Sequence, residues 1–306
     1  MPYDRHLTLA AGVALALVGG SAIAADLPSR KAPPPVVVAP PPPLWTGFYG
    51  GLNAGYVFDG STAVTHNAGL VQPIQGDISI AAGLPASLSV NTSGFIGGGQ
   101  VGYNWQFHPN FVAGLEADFQ GRAGSSASAS AIGGGNVDIF PNFAPNAAVR
   151  ATLVTKESNW LGTVRGRLGF LVTPTVLLYA TGGLAYGDAK LSSNTLLASP
   201  LFFGLVQTDT GGASYSDTRV GYTVGGGAEW MFLPNWSAKL EYLYYDLGSA
   251  NVNYVTTSNY FFGFPTNPFG PTLGVQASSR YNGHIVRVGV NYHFNFAAPA
   301  PVLAKY

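Results

Sequence analysis

Residues 94–107 read GFIGGGQVGYNWQF. Odd positions carry Phe95, Val101, Tyr103, Trp105 and Phe107 with Gly97 and Gly99; even positions carry Ile96, Gly98, Gln100, Gly102, Asn104 and Gln106. A repeat of two is the period of a β-strand, whose successive side chains point to opposite faces. One face here is apolar and aromatic, the other mostly small and polar. After His108-Pro109-Asn110 the alternation resumes, with Phe111, Ala113, Leu115, Ala117 and Phe119 opposite Gly114, Glu116, Asp118 and Gln120. Two such runs joined by a Pro-Asn turn predict a hairpin.

The same unit recurs twice. Over 160–172, Trp160, Val164, Leu168, Phe170 and Val172 alternate with Thr163, Arg165, Arg167 and Gly169, and the chain turns at Thr173-Pro174-Thr175 into 176–186. Over 219–232, Val220, Tyr222, Val224, Trp230 and Phe232 oppose Arg219, Thr223, Glu229 and Met231, and Pro234-Asn235 leads into 236–246. Outer strands at 46–58 and 284–294 bring the expected number to eight.

Composition decides what surrounds these strands. The 306 residues are 47% hydrophobic and only 9% charged, against about 25% charged in ordinary soluble domains. Fourteen Lys and Arg balance fourteen Asp and Glu, and there is no Cys. That excludes nucleic-acid binding through a basic footprint, an acidic disordered chain, a disulfide framework and a thiolate metal site. Mean hydropathy of +0.20 points to a membrane, yet beyond the first two dozen residues no apolar run approaches the ~20 residues of a spanning helix. Three short turns, at 108–110, 173–175 and 234–235, alternate with four long connections near 59–92, 121–158, 188–217 and 248–281. Short turns on one side and long loops on the other mark an outer-membrane barrel with its turns in the periplasm. The expected fold is all-β, an eight-stranded antiparallel up-and-down transmembrane β-barrel over 45–296. Closure removes the strand edges that lipid would not tolerate. In a soluble sandwich these few charges could not clothe the outside.

The flanks have their own logic. An apolar run over 7–18 is followed by Gly19-Gly20-Ser21-Ala22-Ile23-Ala24. Small residues at Ala22 and Ala24 predict a secretory signal over 1–24, cut after Ala24. Residues 25–44 are rich in proline and predict an extended periplasmic linker; residues 297–306 form a C-terminal tail.

By alternation the inward face holds Glu116, Asp118, Arg165, Arg167, Arg219, Glu229, Lys239, Glu241 and Arg287, five positive and four negative, beside Asn53, Gln100, Asn104, Asn291 and His293. An eight-stranded barrel is only wide enough for its own side chains. Opposite charges packed there must pair, because an unpaired buried ion costs several kcal/mol or so. The expectation is a plugged interior; the alternative is a narrow porin-like channel for small solutes, gated by the inward arginines.

Several stretches resemble a known family. They are AADLP after the signal, WTGFYGGLNAGY at 45–56, YATGGLAY at 179–186, LEYLYYDLG at 240–248 and VRVGVNYHF at 286–294. They are similar to the RopB-type family of small alphaproteobacterial outer-membrane proteins and surface antigens, and more distantly to the OmpA transmembrane domain. The resemblance implies an outer-membrane barrel with a structural, surface-antigen or host-contact role and no catalytic residues to carry over. Arg287, Gly289, Tyr292 and Phe294 also resemble a barrel-assembly signal on the last strand, with either Phe294 or the terminal Tyr306 as the recognised aromatic.

The expected location is the cell outer membrane, with both termini periplasmic and the long loops extracellular. Expected partners are outer-membrane lipid and lipopolysaccharide, the barrel-assembly machinery, and a host surface or a small solute; nucleic acid is not among them. The pattern leaves the oligomeric state open. No enzyme, cofactor or metal is expected: His284 and His293 fall on opposite faces of one strand without a triad partner, and His66 is a single ligand in a long connection. The triple glycines at 97–99 and 225–227 lie within strands and lack the Gly-Lys-Ser/Thr of a phosphate loop. The long connections carry apolar knots, Ile139-Phe140 with Phe143, Leu201-Phe202-Phe203, and Phe261-Phe262-Gly263-Phe264 with Phe269, expected to form a cap, an adhesive surface or a doorway for small hydrophobic solutes.

Overall fold

A computed structural model describes residues 44–72, 83–137, 146–200, 206–258 and 272–294. The signal with Ala22 and Ala24, the linker before Leu44, the three apolar knots and the tail with Tyr306 lie outside the described residues.

Thirteen strands are described. They are β1 (Gly47–Asp59), β2 (Ala63–Gln72), β3 (Ser87–Ser89), β4 (Gly94–His108), β5 (Phe111–Ala123), β6 (Ser126–Val137) and β7 (Asn146–Glu157). There follow β8 (Trp160–Thr173), β9 (Val176–Pro200), β10 (Val206–Leu233), β11 (Trp236–Val255), β12 (Thr257–Ser258) and β13 (Thr272–Phe294). Eight of them close a ring in the order β1-β4-β5-β8-β9-β10-β11-β13, with β13 pairing back onto β1, every pairing antiparallel. These eight contain the runs expected from alternation. The register from Gly50 passes through Val101, Ala117, Val164, Leu184, Tyr222, Asp246 and Asn282 and returns to β1 at Gly60, ten residues beyond its start. Such a stagger tilts the strands by about 35–45° and leaves room inside for side chains alone.

The outward face matches lipid. Leu52, Phe95, Val101, Leu115, Leu168, Leu184, Val224, Leu240 and Val288 are all exposed. Two aromatic belts bound them, one with Phe48, Tyr103, Trp105, Phe111, Trp230, Trp236 and Tyr292, the other with Tyr56, Phe58, Phe119, Trp160, Tyr222 and Tyr244. Phe48 and Phe58 are ten residues apart on a tilted β1, which sets the belts about 25 Å apart, the height of a barrel's apolar band.

Among the described residues, much of the four long connections is strand. Beyond the second belt the barrel strands continue: β9 and β10 stay paired from Val176 and Trp230 to Pro200 and Val206, and β11 and β13 to Val255 and Gly274. β7 adds to β9 and β6 to β7, while β2 adds to β13, β3 to β2 and β12 to β10. An extracellular tier thus stands on the membrane barrel. Its two walls share a core of Val64, Val154, Leu191, Val252 and Ala277. Sequence reading missed this tier because its alternation is built from small residues. Ser126-Ala127-Ser128-Ala129-Ser130 has period two but little contrast, and only pairing with the longer strands makes it a strand.

Lys156 joins the two tiers. Its Nζ, buried with the rest of the side chain, donates to Asp59 Oδ2 at 3.3 Å, Ser61 O at 2.8 Å and Arg280 O at 3.1 Å, and lies 5.0 Å from the Tyr281 ring centre. Burial pushes its pKa below 10.5, against the opposing pull of Asp59. The folded state therefore binds this proton less tightly than the unfolded chain, so stability rises with pH between the lowered folded-state pKa and 10.5 and is level below that window. Unfolding titrations carried up toward 10.5 should show the wild type gaining on Lys156→Met as pH rises; a constant difference would contradict this.

Candidate functional site: the charged lumen

The inward positions of β5, β8, β10, β11 and β13 converge at mid-barrel. β5 supplies Glu116 and Asp118, β8 Arg165 and Arg167, β10 Glu229, β11 Lys239 and Glu241, and β13 Arg287. All eight are at most 5% exposed. Four cations face four carboxylates, so the group is neutral.

Register alone would pair neighbours, since Glu116 lies beside Arg165, Glu241 beside Arg287 and Glu229 beside Lys239. The side chains do more than that. Lys239 Nζ reaches across to Glu116, at 2.9 and 3.0 Å from its two oxygens, and β5 and β11 stand diametrically opposite in the ring. Arg165 donates to Glu241 Oε1 and Asp118 Oδ2, each at 2.9 Å, and also to Glu116. Arg287 donates to Asp118 Oδ2 at 2.8 Å and Glu241 Oε2 at 2.6 Å. Arg167 spans β9 to reach Glu229 Oε2 at 2.7 Å, with its guanidinium 4.1 Å from the Tyr179 ring centre. These charge-assisted bonds stitch opposite walls together through the space a pore would need.

Neutral groups complete the plug. Tyr49 donates to Glu116 Oε2 at 2.7 Å and Tyr179 to Glu241 Oε1 at 3.0 Å. Asn291 Nδ2 and Ser237 Oγ donate to Glu229 Oε1 at 2.8 and 2.6 Å, and Asn53 and Gln100 continue the chain of amides. Glycine makes room for the two tyrosines: a Cβ at Gly102 would lie 2.4 Å from Tyr49 Oη, and one at Gly227 2.8 Å from Tyr179 Oη. Val57, Ile96, Leu161, Leu243 and Ile285 form an apolar layer on the extracellular side of the charges. On the periplasmic side another holds Trp45, Val112, Leu171, Leu177 and Met231.

Arg219 does not join the network. It is half-buried further up β10, donating to Leu247 O at 3.0 Å and Tyr215 Oη at 3.3 Å. Its removal turns the expected five-to-four balance into four-to-four. Trp45 was not singled out by sequence reading. The strand pattern begins beside it, and nothing local separates a first strand residue from a stopper. Its indole N–H donates to Pro174 O at 3.0 Å in the β8–β9 turn, and its ring meets His293 edge-on at 5.6 Å.

On β13, Arg287 and Gly289 face inward, while Tyr292 and Phe294 face out and meet edge-to-face at 5.1 Å. His284 is outside, bonded to Tyr242 Oη at 2.6 Å; His293 is inside, 2.8 Å from Ser237 Oγ. His66 lies on the inner face of β2, where burial lowers its pKa, with Nε2 3.4 Å from Ser193 Oγ. Among the described residues no three His, Asp or Glu side chains are grouped as metal ligands.

The model of the outer membrane protein beta-barrel domain matches residues 13–294. The chain belongs to this outer-membrane β-barrel family. It is 34% identical over 281 residues to the 31 kDa outer-membrane immunogenic protein of Brucella melitensis, covering 91% of this chain and 96% of that one. It is 32% identical over 188 residues to the 22 kDa outer membrane protein of Rhizobium leguminosarum bv. viciae, covering 61% and 68%. Both accord with the alphaproteobacterial resemblance carried by the strands. Among solved structures, OprG from Pseudomonas aeruginosa aligns over 81% of this chain and 97% of its own at 11% identity, with a TM-score of 0.34. This barrel resides in the cell outer membrane, its short turns periplasmic and its second tier extracellular.

Proposed function

We propose that this outer-membrane barrel is closed to solutes and serves as a structural platform that presents its extracellular tier as a surface antigen or host-contact surface. The neutral network of Glu116, Asp118, Arg165, Arg167, Glu229, Lys239, Glu241 and Arg287 carries this reading, because its bonds cross the lumen and apolar layers flank it. The antigen role is supported by the Brucella relative, named an immunogenic protein, whose length this chain nearly spans. Solvated ions would have to break several buried pairs at once to pass, each pair costing several kcal/mol or so to separate.

The chain is read as non-catalytic. Ser237, His293 and Glu229 do touch, but Glu229 Oε1 lies 3.5 Å from the same His293 Nε2 that meets the serine hydroxyl. A general-base relay needs the acid on the opposite ring nitrogen. Residues 1–24 as export signal and 25–44 as periplasmic spacer belong to the same proposal, as does recognition of Arg287, Gly289, Tyr292 and Phe294 by the assembly machinery. Purified protein in a planar bilayer should give no single-channel steps. Steady currents that vanish when Arg165, Arg167 and Arg287 are replaced would establish the narrow channel instead.

A further inference from the structure

The outward face of β2, β13 and β11 in the extracellular tier forms a three-by-three grid fixed by register. The row nearest the membrane is Thr65, Ser278 and Asn251; above it come Asn67, Gln276 and Asn253, and then Gly69, Gly274 and Val255. A groove of about 450 Å³ runs over the upper two rows. Asn67, Asn253 and Gln276 are exposed, and among the described residues their side chains make no hydrogen bond to the protein. A Cβ built on Gly69 meets nothing within 4 Å, so the glycine end of the groove is open. Its lining holds amides and small or apolar residues, without a charge.

We propose that this groove binds the uncharged sugars of the core saccharide of a neighbouring lipopolysaccharide. Each amide offers both a donor and an acceptor, as vicinal hydroxyls require, and strands about 4.8 Å apart space the three amides over roughly two sugar rings. Height and direction select the source. Arg280, its side chain 55% exposed and held by Asp246, stands on the same face of β13 just above the belt residues Tyr222 and Tyr244. Gln276 is four residues further along, about 13 Å along the strand at 3.3 Å per residue. The groove opens sideways from the tier's flank, toward molecules standing in the same leaflet. The outer face of β6, β7 and β9, with Ile132, Val149, Leu153 and Leu196 exposed, offers no comparable row of amides among the described residues.

The test uses the full chain in phosphatidylcholine nanodiscs, probed by saturation-transfer NMR with core oligosaccharide released from rough lipopolysaccharide. Transfer to the sugar protons is expected. The triple variant Asn67→Ala, Asn253→Ala, Gln276→Ala should weaken binding about tenfold or more, since three amide hydrogen bonds are lost together. Gly69→Leu should block the groove, because its side chain enters open space and leaves folding intact; unchanged heat-modifiable gel mobility verifies that. Ser128→Ala on β6 should change nothing. In native mass spectrometry, rough lipopolysaccharide should stay bound better than lipid A alone. No transfer with the wild type, undiminished binding by folded Gly69→Leu, or equal retention of the two glycolipids would each overturn the proposal.

Discussion

Replacing Glu116 with alanine should cost the folded barrel about 3–5 kcal/mol, the penalty for stranding buried charge. Arg165 and Lys239 both donate to Glu116, Arg167 and Arg287 each approach it at 3.6 Å, and Tyr49 donates to it. Without it, Lys239 retains only Glu241, at 3.8 Å, and the lumen carries one excess positive charge in a site closed to water. Urea unfolding of vesicle-reconstituted protein, followed by tryptophan fluorescence, measures the loss. Adding Lys239→Ala to Glu116→Ala restores neutrality, so the double variant should lose clearly less than the sum of the singles. A single-variant loss under about 1 kcal/mol would mean that water reaches the network, contrary to a sealed plug.

Leu52→Arg and Ile132→Arg should behave in opposite ways although the two side chains are about equally accessible, at 73% and 79%. Leu52 lies midway between the aromatic belts on β1; Ile132 lies on the extracellular tier. An arginine at the bilayer midplane costs about 2–4 kcal/mol, whereas an exposed substitution in water usually stays within about 0.5 kcal/mol. The same unfolding measurement reads both. Equal small effects would place Leu52 outside the hydrocarbon band.

What the sequence made legible follows from contrast and position. The eight runs could be read because Phe, Tyr, Trp and Leu on one face stand against Gly, Asn, Gln and charge on the other. Of the nine charges that side-chain parity places inward, eight meet in the network. Arg219 lies apart from them, since parity gives the face of a strand but not the height along it, and Arg219 sits ten residues from Glu229 on β10. The tier above the membrane was unreadable for a different reason. Serine and alanine alternate in β6, and both are small, so the pattern carries no amphipathic contrast, and its strand character comes from pairing with β7. The lumen's cross-links were only partly foreseeable. Alternation indicated that opposite charges would pair, but that Lys239 prefers Glu116 across the ring to its register neighbour Glu229 depends on the curvature of the closed sheet.

Trp45 carries a consequence for the order of events. Its hydrogen-bond acceptor is Pro174, in the turn between β8 and β9, and the ring it abuts is His293, near the end of the final strand. The Pro174 half can form with the β8–β9 hairpin, but the His293 half exists only once the final strand has joined β1. The seat of the first residue of the barrel is therefore completed by the last strand to be made.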